Sequence, residues 1–472
     1  MAVQESGQGP VPIEGSDELR SLASDCVHCG FCLPACPTYQ LWGEEMDSPR
    51  GRIHLITQLL DGGQASEAAA SHLDRCLGCM ACVPACPSGV RYDRLIEAAR
   101  TWVEDSAYLA GRMLPPAVRA GLEALPSGGA SSAGNKPYGR TLRDRATRAA
   151  IFALFPHPRR LKLLAAPLRA AQRTGLQELI ARSGLPARLA PELAAALRLA
   201  PPRPGRVPPL PRLVPARGER RAVVGMLTGC VQGVFFPQVN TATARVLAAE
   251  GCDVVIPAGQ SCCGALSLHA GRKTEAVRLA RHTIATFERA GVDTIVVNAA
   301  GCGSAMKEYG QLLAHDPDWA ARAAALSDRV ADFSEFLARL GPAAVRHPLP
   351  LTAVYQDACH LGHAQRITRQ PRELLAGIPG LTLAEIGDGG TCCGSAGIYN
   401  LVQPAAATEL GARKAQSVWG TGGELLVSAN PGCAMQISAA LRAQGTPMPV
   451  AHVAQVLDAS LRGRPASALL GG

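Results

Sequence analysis

Aromatic residues make up only 4% of this 472-residue chain. Nowhere does it hold the run of roughly 18 apolar residues that crossing a bilayer takes. The opening stretch, MAVQESGQGPVPIEGSDELR, lacks both a basic start and an apolar core, so no export leader is expected. Missing too is a Gly-x-Gly-x-x-Gly turn behind a strand, or any other nucleotide loop. These absences point to a cytoplasmic chain with no transmembrane segment and no dinucleotide of its own. Hydrophobic residues at 47% and charged residues at 18% describe a folded globular protein rather than a disordered one.

What the chain has in excess is cysteine, 17 in all. In a large chain without an export signal, that number points to metal ligation rather than disulfides. The net charge of +9 is also unevenly spread, because residues 106–221 carry 21 Lys/Arg against 5 Asp/Glu. Such a segment can serve nucleic acid, anionic lipid or an acidic partner subunit. It has few aromatics and no nucleic-acid motif, so no nucleic acid is expected, and an Arg-rich helical connector is the favoured reading.

Three composition zones follow. Residues 1–105 contain two dense cysteine strings set among helical patterns: Pro49 opens one helix, Ile53, Ile56, Leu59 and Leu60 line it, and Gly62–Gly63 end it. Residues 106–221 form the connector, ending in the Pro-rich PPRPGRVPPLPRLVP (201–215), which reads as an extended linker. Residues 222–472 alternate short β-branched runs with helical patterns, as α/β units on a largely parallel sheet do. The last zone repeats. Cys230, Cys262–Cys263–Gly264 and Cys302 recur as Cys359, Cys392–Cys393–Gly394 and Cys433 at offsets differing by one residue. This divides it into units 222–345 and 346–472, with the cysteines where strands end, the site-bearing edge of an open α/β sheet.

The dense strings are CVHCGFCLPACP (26–37) and CLGCMACVPACP (76–87). C-x2-C-x2-C-x3-C-P, twice, is the run that ligates cubane iron–sulfur clusters, in which the fourth cysteine serves the neighbouring cluster. On that rule one [4Fe-4S] cluster takes Cys26, Cys29, Cys32 and Cys86, and the second takes Cys76, Cys79, Cys82 and Cys36. Structural zinc wants separated C-x2-C pairs, and disulfides need a geometry that such crowding does not supply. Gly30 and Gly78 allow close backbone approach. Arg50 and Arg52 either sit near a cluster or form a solvated pair.

The repeated cysteines Cys230, Cys262, Cys263, Cys302, Cys359, Cys392, Cys393 and Cys433 are further candidate ligands, for iron–sulfur or zinc, against the alternative of buried free thiols. Cys252 has no counterpart and reads as a core residue. His269, Asp357, His360 and His363 lie near these sites in sequence. They carry no pattern that marks catalysis, and no catalytic residue is assigned.

The stretch CVHCGFCLPACPTYQLWGEEMDSPRGRIHLI, a second cluster string and two Cys-Cys-Gly units together resemble the glycolate oxidase (glycolate dehydrogenase) iron–sulfur subunit family. The order of parts covers essentially the whole chain. The fold so implied is α plus α/β: an all-helical two-cluster ferredoxin domain like that of succinate dehydrogenase-like subunits, a Pro-rich basic connector and duplicated α/β Cys-Cys-Gly domains. The resemblance implies flavoprotein partner subunits that carry FAD and oxidise glycolate. It also implies a respiratory-chain electron acceptor, and a place in the cytoplasm or peripheral on the cytoplasmic face of the inner membrane. Cys-Cys-Gly units are also similar to those of anaerobic glycerol-3-phosphate dehydrogenase, lactate-utilisation proteins and heterodisulfide reductase. In the last, each copy ends in C-x-x-C. Here CGSA (302–305) and CAMQ (433–436) lack the second cysteine, which argues against a five-thiolate cluster.

Overall fold

The computed structural model describes residues 15–61, 66–112, 140–183, 191–202, 205, 207–387 and 390–471. The first fourteen residues, the Gly62–Gly63 helix stop and residues 113–139 of the connector lie outside this set. Two compact units emerge, residues 1–146 with 269–272, and residues 147–268 with 273–472. No helix among the described residues is long and apolar enough to cross a membrane.

The elements of the first unit are helices joined by turns: α1 (Ser16–Ser24), α2 (Pro37–Trp42), α3 (Pro49–Leu60), α4 (Glu67–Asp74) and α5 (Tyr92–Arg112), with a 3₁₀ turn at Glu45–Asp47. Local chemistry sets their starts. The Ser48 side chain accepts the Gly51 N–H at 3.0 Å and Pro49 fills the first turn of α3. Ser66 caps α4 in the same way through Ala69. The predicted apolar face of α3 is buried, Ile53, Ile56, Leu59 and Leu60 together, as are Leu73 of α4 and Leu95, Ile96 and Val103 of α5. Gly51 is where α3 crosses the 3₁₀ turn. A Cβ there would lie 2.0 Å from the Glu45 carbonyl oxygen and 3.0 Å from Met46 Cα.

The second unit holds two sheets of the same plan. The first runs β1 (Leu213–Val214), β3 (Cys252–Val255), β2 (Ala222–Leu227), β4 (Thr294–Val297), β5 (Val330–Asp332). The second runs β7 (Leu381–Glu385), β6 (Leu351–Gln356), β8 (Leu425–Ser428), β9 (Val450–Ala451). All pairs are parallel except β1 with β3, and β2 and β6 hold the same central place. Six of these strands coincide with the β-branched runs of the sequence. Three do not. The end of the Pro-rich stretch is not all linker, since Leu213 and Val214 pair with Val255 and Val254. Strands β5 and β9 are too short to show a pattern. One apolar cluster draws on both sheets, among others Val224, Val254, Ala353, Tyr355 and Leu425. The connector is also more than a solvated tether, because Leu161 and Ala165 of the helix Pro158–Arg173 bury against Val234.

Each copy ends on a capped helix, Asp332 capping Phe333–Leu340 and His452 capping Val453–Leu461. His452 accepts the Ala454 N–H on Nδ1 at 3.0 Å, which requires a neutral ring. Burial lowers its pKa to about 4, from 6.5. The folded state therefore binds fewer protons between those values. This contribution is fully present above pH 6.5 and is lost as pH falls toward 4, by about 3 kcal/mol. Replacing His452→Asn keeps a capping side chain without a titrating ring. Denaturant melts between pH 4 and 7 should show a flatter acid limb for the variant, and equal limbs would refute the assignment.

Candidate functional site

The two dense strings wrap two adjacent cavities in the first unit. One, with about 410 Å³ of open space, is lined by Cys26, Cys29, Cys32 and Cys86, with Arg50, Pro87 and Ile53. The other, about 290 Å³, is lined by Cys36, Cys76, Cys79 and Cys82, with Thr38, Arg52 and Leu77. Thus Cys36 turns away from its own string toward the second, and Cys86 turns toward the first. Cys82, Pro49 and Tyr92 border both cavities, so a single layer of side chains separates them.

The two strings share a backbone path that residue types only half reveal. His28 and Gly78, one place before the second cysteine, have φ of 53° and 64°. Gly30 and Met80, one place after it, have 87° and 59°. Each string therefore passes twice through the left-handed region, a curvature that gathers N–H groups around a concave space suited to an anion. Sequence reasoning caught the glycines and missed His28 and Met80. The signal was there, since each position holds glycine in one of the two strings.

Arginines complete the surroundings, in unequal ways. Arg50 donates from Nη1 to the His28 carbonyl at 3.0 Å and from Nε to Glu45 at 2.6 Å, near the surface. Arg52 is wholly buried and lies on the wall of the second cavity, so the solvated-pair reading fails for it. Its Nε donates to the His72 carbonyl at 2.7 Å, Nη1 to Thr38 Oγ1 at 3.1 Å and Nη2 to Asp47 Oδ1 at 3.2 Å. Asp47 also receives Arg75 at 3.0 Å and His72 at 2.9 Å. A second buried arginine, Arg100, donates to the Cys76 carbonyl. Cys76 Sγ accepts from the Gly78 N–H at 3.3 Å and from the Tyr92 hydroxyl at 3.5 Å. Burial alone would push the Cys76 thiol up, but Arg52 and Arg100 outweigh it and hold it below the usual thiol range. By contrast, burial and then the neighbouring thiols Cys79, Cys76 and Cys36 push Cys82 well up. Cys76 is thus prepared to lose its proton, whereas Cys82 resists losing one.

Among the described residues, no three His, Cys, Asp or Glu side chains are placed to hold one metal ion. That suits a cubane better than zinc, because a cubane takes one thiolate per iron and its ligands ring a cavity instead of meeting at a point. At least four cysteines on each cavity wall, left-handed loops and, at the second, the buried Arg52 make a donor set that fits an anionic iron–sulfur cluster.

In the second unit, the repeated cysteines come together at the carboxyl ends of the strands. Cys230 Sγ lies 3.6 Å from Cys262 Sγ. Cys262 contacts Cys263, which contacts Cys302, giving a row of four. The second copy repeats the row as Cys359, Cys392, Cys393 and Cys433. Gly264 and Gly394 follow the pairs at φ of 89° and 84°. At Gly394 a Cβ would sit 2.9 Å from the Ala407 carbonyl oxygen, so helix and loop touch there. Thiols are not equal along a row. Hydrogen bonding to Cys262 and burial push Cys230 well up, whereas the thiols of Cys392 and Cys433 donate to Cys393, which is held low, with buried Lys414 adding to the effect.

The remaining sequence candidates are engaged elsewhere. Asp357 pairs with Arg372 at 2.7 Å, His363 Nε2 meets the Gly390 carbonyl at 3.2 Å, and His360 opens a short π-helical turn (His360–Ala364) behind Cys359. His269 belongs with the first unit, where its Nδ1 lies 3.1 Å from Glu97. Cys252 is buried in β3.

Comparison with known proteins gives three family matches: residues 22–90 to the 4Fe-4S dicluster domain, 143–200 to the linker region of the glycolate oxidase iron-sulfur subunit, and 224–307 and 353–438 to the cysteine-rich (CCG) domain. The chain is 36% identical over 428 residues to the probable glycolate oxidase iron-sulfur subunit of Bacillus subtilis (strain 168), covering 89% of each. It is 34% identical over 449 residues to the glycolate oxidase iron-sulfur subunit of Escherichia coli (strain K12), covering 94% of this chain and 95% of that one. Lactate utilization protein A of Shouchella clausii (strain KSM-K16) is 33% identical over 239 residues, 50% of this chain and 98% of that one.

Proposed function

The chain belongs to the glycolate oxidase iron–sulfur subunit family, and on that premise we propose that it is the electron-relaying subunit of a 2-hydroxy-acid dehydrogenase. It takes electrons from a partner flavoprotein that oxidises glycolate to glyoxylate and hands them toward the respiratory chain. The observation that carries this reading is the pair of adjacent cavities, one lined by five cysteines and the other by four, each drawn from both strings, with Cys82 bordering both. When bound there, [4Fe-4S] clusters supply reversible one-electron chemistry. Cys26, Cys29, Cys32 and Cys86 hold the first, and Cys76, Cys79, Cys82 and Cys36 the second. Pro37 starts α2 directly behind Cys36, fixing that ligand's exit from the cavity. At the second site Arg52 and Arg100 offset the thiolate charge, and Leu77 and Tyr92 keep water from the cavity wall.

No residue of the chain is assigned to substrate, since accepting hydride from a 2-hydroxy acid calls for a flavin or comparable cofactor. The FAD lies on partner subunits in this reading, and the chain works in the cytoplasm or peripherally at the inner membrane. The two four-thiol rows are further candidate sites, and the same geometry suits iron–sulfur there better than zinc. A second reading, the same relay serving a lactate dehydrogenase, is favoured by the lactate utilization protein A match to about half of the chain.

Purified alone, the chain should contain iron and acid-labile sulfide and show no glycolate oxidation. With its flavoprotein partners it should restore glycolate-dependent dye reduction. Glycolate oxidation by the chain alone sinks the proposal, and restoration by lactate but not glycolate selects the second reading.

A further inference from the structure

The two cavities differ in what faces their cysteines. Around the first, Cys29 is exposed and Cys26, Cys32 and Cys86 are half-buried. Its one arginine at the wall, Arg50, spends two donors on Glu45, at 2.6 and 3.2 Å. The Arg50 backbone N–H faces Cys32 Sγ. Around the second, all four cysteines are buried. The Gly78 N–H and the Tyr92 hydroxyl donate to Cys76 Sγ, and the Thr38 hydroxyl lies 3.2 Å from Cys36 Sγ. The Thr38 oxygen accepts from Arg52 at 3.1 Å and its hydroxyl donates to the Asp47 carbonyl at 2.7 Å, which places Arg52 close to Cys36 without a donor on that sulfur. Arg52 and Arg100, both buried, and the part-exposed Arg75 stand on this side against the carboxylates of Asp47 and of Glu97 beside Arg100, so cations outnumber carboxylates.

Cluster potential depends on net charge, hydrogen bonds to sulfur and solvent exposure. Adding an electron adds negative charge. Water eases that at the exposed first site, but the Arg50–Glu45 pair there is close to neutral and screened. At the second site the cations act through a poorly polarisable interior, where each counts for more than it would in water. Two donors, the Gly78 N–H and the Tyr92 hydroxyl, reach its ligand sulfur Cys76 Sγ.

We propose that Arg52, Arg100 and Tyr92 make the site of Cys36, Cys76, Cys79 and Cys82 the higher-potential member of the pair, and the half-exposed site of Cys26, Cys29, Cys32 and Cys86 the port through which electrons enter. This rests on the two-cluster reading above. The step is a transfer of one electron, with no proton required: the first site is oxidised, the second is reduced, and reduced flavin of the partner dehydrogenase restores the first. Tyr92 acts as a tuning residue through its hydrogen bond to Cys76 and Arg52 through its buried charge on the cavity wall, neither as a ligand.

The test is a redox titration of the full chain followed by electron paramagnetic resonance, with iron and sulfide assayed on the same samples. Cys79→Ala marks which signal belongs to the buried site. That signal should titrate at the higher potential. Tyr92→Phe, which removes one hydroxyl, should lower its midpoint and leave the other signal in place. Arg52→Gln should lower it further, with Arg52→Lys recovering part of the shift; should the Arg52 variants not fold, Tyr92→Phe and Arg100→Gln carry the test. A buried-site signal at or below the other in the unaltered chain overturns the inference, as does a Tyr92→Phe shift that is absent or equal at both sites. Samples without cubane iron and sulfide would instead overturn the cluster reading itself, and the inference with it.

Discussion

Replacing Cys36→Ala should give the phenotype of Cys79→Ala, not that of Cys29→Ala. Cys36 lies in the first string by sequence, three residues beyond Leu33, yet it lines the cavity of the second string with Cys76, Cys79 and Cys82. Its loss should remove about four irons per chain, one cubane's worth, and spare the signal of the other site. Cys86→Ala should do the reverse, matching Cys29→Ala, because Cys86 lines the first cavity. The reason is local. Cys36 and Cys86 sit where a string ends, each followed by a proline that sends the chain onward, so their side chains face the neighbouring string. Iron analysis and low-temperature spectra of the four variants decide it. If Cys36→Ala abolished the signal that Cys29→Ala abolishes, the interleaved ligand sets would be wrong.

Gly51→Ala should unfold the first unit's site although position 51 touches neither cavity. Its Cβ would have to share space with backbone, at 2.0 Å from the Glu45 oxygen and 2.8 Å from the Glu45 carbonyl carbon. Backbone cannot give way as the end of a flexible side chain can, so α3 must lift off the Glu45–Asp47 turn. That helix supplies Pro49 to both cavities, Arg50 to the first and Arg52 to the second. Overpacking of this kind costs about 3 kcal/mol or more. A lower melting temperature with iron lost from both sites together is the expected result. Gly43→Ala is the control: Gly43, unlike the helical Gly51, is left-handed, at φ 63°, but a Cβ there meets nothing within 4 Å. It should cost only the backbone strain, about 1–2 kcal/mol. Equal effects of the two substitutions would show that α3 does not rest on that turn.

Much of this arrangement could be read in the residues, for reasons that differ by element. Cysteine spacing is rigid information, because the thiolates must reach separate irons, and it placed eight residues around two sites. Duplication in residues 222–472 predicted two like sheets, since matched cysteine offsets require matched strands and loops. Strands β1, β5 and β9 stayed hidden because two or three residues carry no periodicity, and β1 lies behind a run of prolines. The partners of the cysteines were hidden for another reason. Thr38, Arg52 and Tyr92 reach the second cavity, and Arg100 the Cys76 carbonyl beside it, from α2, α3 and α5, separated by up to 62 positions. No local pattern marks a contact that exists only after three helices have packed.

The central claim, a two-cluster relay fed by a separate flavoprotein, is tested most directly by adding glycolate to the chain with and without its flavoprotein partners, and freezing samples for spectroscopy. Reduced cubane signals should appear only in the mixture, in both sites, and Cys79→Ala should leave the entry-site signal alone still reducible. Glycolate reducing the isolated chain, or failing to reduce either site in a mixture that oxidises glycolate, would contradict it.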